Sequence, residues 1–526
     1  MKRILLFLAF ISIYSLSKAQ TPDWSSKIAG IIYNNCSSCH HDGGIAPFPL
    51  MSYDDAAIRA IDIQSYVNAG KMPPWPPLDD CSAEIVGDRR LNQEDITAVN
   101  DWVNAGAPAG DLATAPPPPT DFSTSQLNQV NQTVQLPVYS VKLQTDEYRT
   151  FVVHSGYASA QYLNQIEVIP GNNAIVHHVL VYYDSTNTSY NLDAADPDPG
   201  FSTNGTNTPS DYAILVGGWA PGAQPQILPS NMAYRIPANS DFVVEVHYAP
   251  NNLGKTDSTK INIKFCDQAN PRLMSVAPIL FHFWPSLING PLIIPANTTK
   301  TFYEKSVGFT YPVDGNYSLF AALPHMHLIG KSISVYMTSP NNADTTRLVC
   351  IPDWSFHWQL GYIFRHMIHF PSSNGYTLRA EATYDNTSNN PNNPNNPPIT
   401  VSLGESTLDE MMVVFFTFLD YQTGDEDIDM GTVGVNEIDN NGFNAELFPN
   451  PAADELQLSC WLQSGDDLTI QILNSSGAVM KTIDPGHQPK GAYASSISIS
   501  DLPNGIYFLQ LQSDGQKVLK KFVKAE

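Results

Sequence analysis

Six residues, Ala115-Pro116-Pro117-Pro118-Pro119-Thr120, divide this chain into two kinds of sequence. Proline fixes φ and has no N–H to donate, so four in a row can neither extend a helix nor join a sheet interior. The run predicts a stiff, extended linker. Before it, apolar residues recur near helical spacing over Asp54 to Val67 and over Asn92 to Trp102. The second stretch opens on a capping-type start, Asn92-Gln93-Glu94-Asp95. After the prolines, to about residue 425, short runs rich in Val, Ile, Thr and Tyr predict strands. They include Ile175 to Tyr183, Phe242 to His247, Lys260 to Phe265 and Met412 to Phe418, and the Asn/Pro run Asn389 to Pro398 predicts a loop. A length of 526 residues exceeds what one core supports, so three or four domains are expected.

The ends of the chain carry their own signals. Lys2 and Arg3, the apolar stretch Leu5 to Leu16 and the small-x-small sequence Ser17-Lys18-Ala19 predict an export signal over residues 1–19. The apolar stretch is too short to span a bilayer comfortably, and no later segment is long and apolar enough, so no transmembrane segment is expected. A second linker, acidic and Gly-containing, is assigned to 425–444. Beyond it, Leu456 to Ser459, Leu468 to Ile472, Ile506 to Leu511 and Val518 to Val523 predict a small β-sandwich. The formal net charge is −24, which excludes non-specific nucleic-acid binding.

Residue types that carry redox chemistry recur in a fixed order. Cys36-Ser37-Ser38-Cys39-His40 has the spacing that joins both haem vinyl groups through thioethers while the histidine takes an axial iron position. No second Cys-x-x-Cys pair exists to complete a zinc site. With Met72 in the downstream Pro-rich loop Lys71 to Pro76, residues 20–112 resemble class I cytochrome c domains. That resemblance implies a small all-α haem c domain with Cys36 and Cys39 attached, His40 proximal and Met72 distal. Met51 is the competing thioether, and His41 is expected at the surface.

Farther on come His177-His178, His247-Tyr248, His325-Met326-His327 and Glu410-Met411, five histidines and a thioether suited to two copper ions. His325 and His327 are two apart on an expected strand, which turns both side chains to one face. Adjacent His177 and His178 would point oppositely on a regular strand, so their joint use needs a twist or bulge. Met411 adds a soft ligand that favours Cu(I). On Val176 to Leu180, Val246 to Tyr248, His325 to Lys331 and Asp409 to Met411, residues 126–425 resemble the copper type II ascorbate-dependent monooxygenases, the family of peptidylglycine α-hydroxylating and dopamine β-monooxygenases. The resemblance implies two tandem antiparallel, jelly-roll-like β-sandwiches, 126–270 and 271–424, each with one copper. His177, His178 and His247 would hold the electron-transfer copper, and His325, His327 and Met411 the catalytic one, where O2 reacts. Ascorbate or another external donor would supply electrons, with the fused haem as a route inward.

Two positions depart from the peptide-amidating enzymes: Leu323 stands where they have an Arg that anchors a substrate carboxylate, and Glu245 where they have Gln. A C-terminal glycine peptide is therefore a doubtful substrate, and small-molecule or peptide substrates both stay open. His357, His366 and His369, in the aromatic-rich segment Trp354 to Phe370, are read as structural with a secondary role lining the site; His154 and His282 are read as structural. Cys81, Cys266, Cys350 and Cys460 allow three pairings, of which Cys266 with Cys350 is preferred. Leu447 to Ala452, Leu502 to Phe508 and the basic Lys517 to Lys524 make residues 445–526 resemble the sorting domain of the type IX secretion system. This implies export by that machinery to the surface or exterior of a Gram-negative bacterium. The expected whole is a secreted copper monooxygenase with O2 as co-substrate; the competing reading is a non-catalytic electron-transfer or copper-binding surface protein.

Overall fold

The computed structural model describes residues 21–119, 125–127, 129–203, 212–307, 315–404, 406–431, 444–449, 452–462, 465–474, 479–513 and 516–525. The expected export signal over 1–19 and most of the 425–444 linker lie outside these. The chain is mostly β, 42% strand against 14% helix. It divides into two compact units, up to Met430 and from Gly431.

In the first unit the N-terminal segment is helical, although the stretch Asp54 to Val67 is two helices broken at Ile58 and Arg59, with Ile58 and Ile61 exposed. Helices Ala29–Asn35, Tyr53–Ala57, Ala60–Asn68 and Gln93–Asn104 gather around Trp24, Ile28, Ile32, Val67, Val99 and Trp102. The Asn92 side chain caps the last of them, its Oδ1 accepting the Asp95 N–H at 2.8 Å and satisfying one of the orphan donors of the first turn. A wholly helical domain over 20–112 is nevertheless not evident. Between Asn68 and Gln93 the chain has no α-helix, and this strap leaves the helical core to lie on a β-sheet. Leu78 N–H donates to Cys350 O, Ala83 N–H to Leu348 O and Val86 N–H to Ile363 O. Trp75 enters the β core edge-on to Tyr362, with ring centroids 5.8 Å apart. Its large apolar area leaves water there. The strap is also joined covalently: the disulfide is Cys81–Cys350, with Cα atoms 5.5 Å apart. This corrects the preferred Cys266–Cys350 pairing. Cys266 is a free, half-buried thiol facing Ser230 O at 3.1 Å, and Cys460 is free and buried in strand Glu455–Leu462.

Among the described residues the β part of this unit has two pairs of larger sheets and two small two-stranded ones. One five-stranded sheet runs Phe201–Ser202, Glu147–His154, Asp241–Tyr248, Val176–Asp184, Ile214–Trp219, beside a six-stranded sheet that contains Lys260–Phe265 and Gln161–Ile169. Farther along, a sheet of order Ser275–Phe281, Val413–Asp420, Tyr317–His325, Tyr362–Phe370 faces one of order Thr298–Lys305, Thr377–Asn386, Gly330–Thr338, Thr345–Ile351. Ala277, Leu280, Leu319 and Phe416 from one and Phe302, Ile333, Val335 and Tyr384 from the other share a single core, the sandwich arrangement that alternating strands require. The predicted strands all appear, with ends that match or move by one to three residues. Strand Arg272–Leu273 pairs with Met232–Ile236 of the earlier sheets, and after one residue the chain enters Ser275–Phe281 of the later pair.

The second unit contains a three-stranded sheet built on Glu455–Leu462 and a four-stranded sheet in which Asp466–Asn474 lies between Val479–Gln488 and Gly505–Ser513. Leu456, Leu458, Ile470, Ile472, Leu509 and Leu511 form its core.

Candidate metal centre

Strands Asp241–Tyr248 and Val176–Asp184 are antiparallel neighbours, and His247 pairs directly with His178. The next pair is Tyr248 with Val176, so His177 is the extra residue of a bulge. That is the local irregularity that two adjacent histidines need in order to face one point. The three imidazoles converge through one kind of atom. Nδ1 of His177 is 3.2 Å from Nδ1 of His178, which is 3.4 Å from Nδ1 of His247. A first-row cation with metal–nitrogen bonds of about 2.0 Å spaces two tetrahedral donors about 3.3 Å apart.

Proton positions agree with that geometry. His247 Nε2 lies 2.7 Å from Asp146 Oδ1, and an ionised carboxylate only accepts, so the proton is on Nε2 and Nδ1 is bare. His177 Nε2 lies 3.3 Å from His357 Nδ1, so its outward nitrogen is likewise engaged away from the cluster. Metal-bound histidines characteristically donate their second ring nitrogen to such partners. Tyr148 stacks on His247 with centroids 4.2 Å apart and fixes its plane. Burial holds all three imidazoles neutral: His177 is pushed down to about 3, His178 falls well below its ordinary value, and His247 is lowered, less so because Asp146 opposes the desolvation. Neutral imidazole is the ligand form.

The second group sits in the later pair of sheets. His325 ends strand Tyr317–His325, and His327 lies just beyond it rather than on it. Their rings still stand 5.0 Å apart and perpendicular. His327 Nδ1 donates to Asp409 O at 3.1 Å, leaving Nε2 bare. His325 pairs with Val413 across the ladder, so extending the register would set position 327 opposite 411. Met412 and Met326 belong to the apolar core. Met411 is also buried but lies outside that core cluster. The buried Glu410 carboxylate shapes the turn, accepting the N–H groups of His327 at 2.9 Å and Ile329 at 2.8 Å. Burial pushes its carboxyl up to about 8 despite those donors. His325 and His327 are driven down to about 3 and about 4, chiefly by burial.

The Cys-x-x-Cys-His motif is one turn of helix-like chain. Cys39 and His40 N–H both donate to Cys36 O, so the two thiols lie a turn apart. His40 Nδ1 donates to Phe48 O at 3.0 Å, which leaves Nε2 available for iron. This donor set fits a haem c. Met72 is half-buried in the loop after helix Ala60–Asn68, and Met51 is half-buried too. His41 is buried rather than at the surface, with Nδ1 2.9 Å from Ser37 O.

Other histidines divide by place. His154 pairs with Asp241 at 2.7 Å, and His369 stacks on Tyr421 at 3.7 Å. His282 is buried, its Nδ1 accepting the Met412 N–H at 3.4 Å. His366 is exposed on strand Tyr362–Phe370, whereas His357 is drawn to the first cluster. Asp146, Tyr148, Phe356 and Gln359 carry no motif that would single them out from the sequence.

Residues 446–525 match the family model described as the secretion system C-terminal sorting domain. The chain is therefore exported to the cell surface or the extracellular space. Among the described residues no helix is long and apolar enough to cross a membrane. No curated protein matches the chain. Among solved structures it is similar to Bifidobacterium dentium β-glucuronidase complexed with coumarin-3-O-glucuronide, at 11% identity over 43% of this chain and 39% of that one, TM-score 0.13. Dimeric latent PorU from Porphyromonas gingivalis matches at 9% identity over 72% and 34%, TM-score 0.15. Dictyoglomus thermophilum β-D-mannosidase matches at 11% over 43% and 29%, TM-score 0.13. The chain spans about a third of the length of such structures, and likeness at this level carries no argument.

Proposed function

We propose that this exported chain is a copper-dependent monooxygenase that hydroxylates a C–H bond of its substrate with O2. One copper would be held by His177, His178 and His247 and the other by His325, His327 and Met411, with a haem c on Cys36, Cys39, His40 and Met72. The single observation that carries the reading is the mutual approach of three imidazole Nδ1 atoms at 3.2 and 3.4 Å, with the opposite ring nitrogen of His247 turned to Asp146 and that of His177 to His357.

Bound copper supplies one-electron chemistry and the activation of O2. The chain supplies the rest. Asp146 fixes the tautomer of His247, and the Asp409 carbonyl fixes that of His327. Met411 offers a soft thioether at the second site, and Glu410 holds the turn that carries His327. Leu323, half-buried two residues before His325, offers no charge to a substrate carboxylate. An uncharged small molecule is the better candidate than a peptide C-terminus. The strap from Trp75 to Val86 joins the segment that carries the haem motif to the second sandwich, and a haem there would offer a route for electrons supplied by ascorbate or another external donor.

The test is metal content of chain matured with haem attached. One iron and two coppers per chain, with O2 uptake on an aliphatic substrate screen, is the expected result. One iron and no tightly held copper after reconstitution would sink the reading.

A further inference from the structure

A loop of the second sandwich, residues 354–359, touches both histidine clusters. Its start is anchored at home, with the Trp354 N–H donating to Lys331 O at 2.9 Å and Trp354 Nε1 to His327 O at 3.2 Å. The Gln359 side chain lies beside the His325 imidazole and donates from Nε2 to Phe356 O at 2.8 Å. Between these anchors the loop reaches the first sandwich. The Phe356 ring lies 5.5 Å from His177, nearly parallel to it, and 5.9 Å from His327, edge to face. His357 places Nδ1 3.3 Å from His177 Nε2.

The hydrogen-bond logic of the first cluster gives that last contact a direction. His177 turns Nδ1 toward His178, so as a neutral ligand it carries its proton on Nε2. His357 Nδ1 then accepts, and His357 keeps its own proton on Nε2. The contact matches the one Asp146 makes to His247, except that it arrives from the other sandwich.

We propose that His357 is a positioning residue for the first cluster: it accepts the Nε2–H of His177, holds that imidazole with Nδ1 toward His178 and His247, and makes the first metal site depend on the second sandwich. This rests on the copper reading of the clusters. His177 is the residue that most needs such help, because it sits in the bulge, where the strand ladder does not fix its backbone on its own.

The test uses full-length protein titrated with copper, with affinity read by chelator competition and each Cu(II) site by electron paramagnetic resonance. His357→Ala is expected to weaken copper at the first cluster about 10–100-fold and change that site's spectrum alone. His357→Asn, whose amide can stand where Nδ1 stands, should restore both. His357 is exposed, so the substitution leaves no core cavity. Wild-type affinity and spectrum in the Ala variant would overturn the inference, as would equal weakening at both sites. His177→Ala serves as the control that identifies the first site. If even wild-type protein binds no copper there, the proposed function fails, and this inference with it.

Discussion

Cys81 and Cys350 are joined although 269 residues separate them in sequence, and the bond lands at the edge strand Thr345–Ile351 of the second sandwich. It fastens a strap whose backbone already hydrogen-bonds to that strand at Leu78 and Ala83. Closing so long a loop removes much unfolded-state freedom. The double substitution Cys81→Ser with Cys350→Ser should cost about 2–4 kcal/mol of stability in denaturant melts, and reductant should then have no further effect. A double variant as stable as the parent would mean that the strap's other contacts suffice.

Met411 and Met412 are adjacent, yet only Met412 belongs to the core shared by the two sheets. Leucine matches methionine in volume and costs less than about 1.5 kcal/mol in a core. Met411→Leu should therefore leave thermal stability near wild type and remove the sulfur signature of the second copper in X-ray absorption. Met412→Leu should leave that signature in place. Loss of the signature in the second variant and not the first would reverse the assignment.

Glu304 is fully buried, and among the described residues neither carboxylate oxygen has a hydrogen-bond partner. Burial raises its pKa well above 4.5. The folded chain thus holds this proton more tightly than the unfolded one. The stability it contributes is intact below about pH 4.5 and declines as pH rises toward the folded pKa, by about 1 kcal/mol per pH unit. Glu304→Gln stays neutral throughout. Its advantage over wild type should grow from pH 5 to pH 8 in calorimetric melts, and a constant difference would place the carboxyl in contact with a partner after all.

Much of the β framework could be read from the chain because alternation and turn residues are local signals. The capped helix at Asn92 and the need for an irregularity at His177-His178 were legible for the same reason: each follows from the geometry of a few neighbouring residues. What was not legible depends on surfaces meeting. The Cys81–Cys350 bond needs a strap from before the proline run to lie on a strand far beyond it, and cysteine spacing does not encode that. The Pro-rich run separates sequence patterns without separating the segments in space. His357 looked like one more ring in an aromatic stretch; its role follows only from the approach of its loop to the first sandwich. His327 lies beyond its strand because Glu410 gathers the following N–H groups into a turn, and a buried acid gives no periodic signal.

The long span of the disulfide also sets an order of events in biogenesis. Cys36, Cys39 and Cys81 precede Cys350 in the chain, so N-terminus-first export would deliver them before the mate of the last of them. During that interval three thiols share one short N-terminal stretch in an oxidising compartment. A haem c joined to the first two, as proposed above, would remove the wrong partners before the right one arrives. In this chain cofactor attachment would act as a folding step, steering Cys81 toward its distant mate.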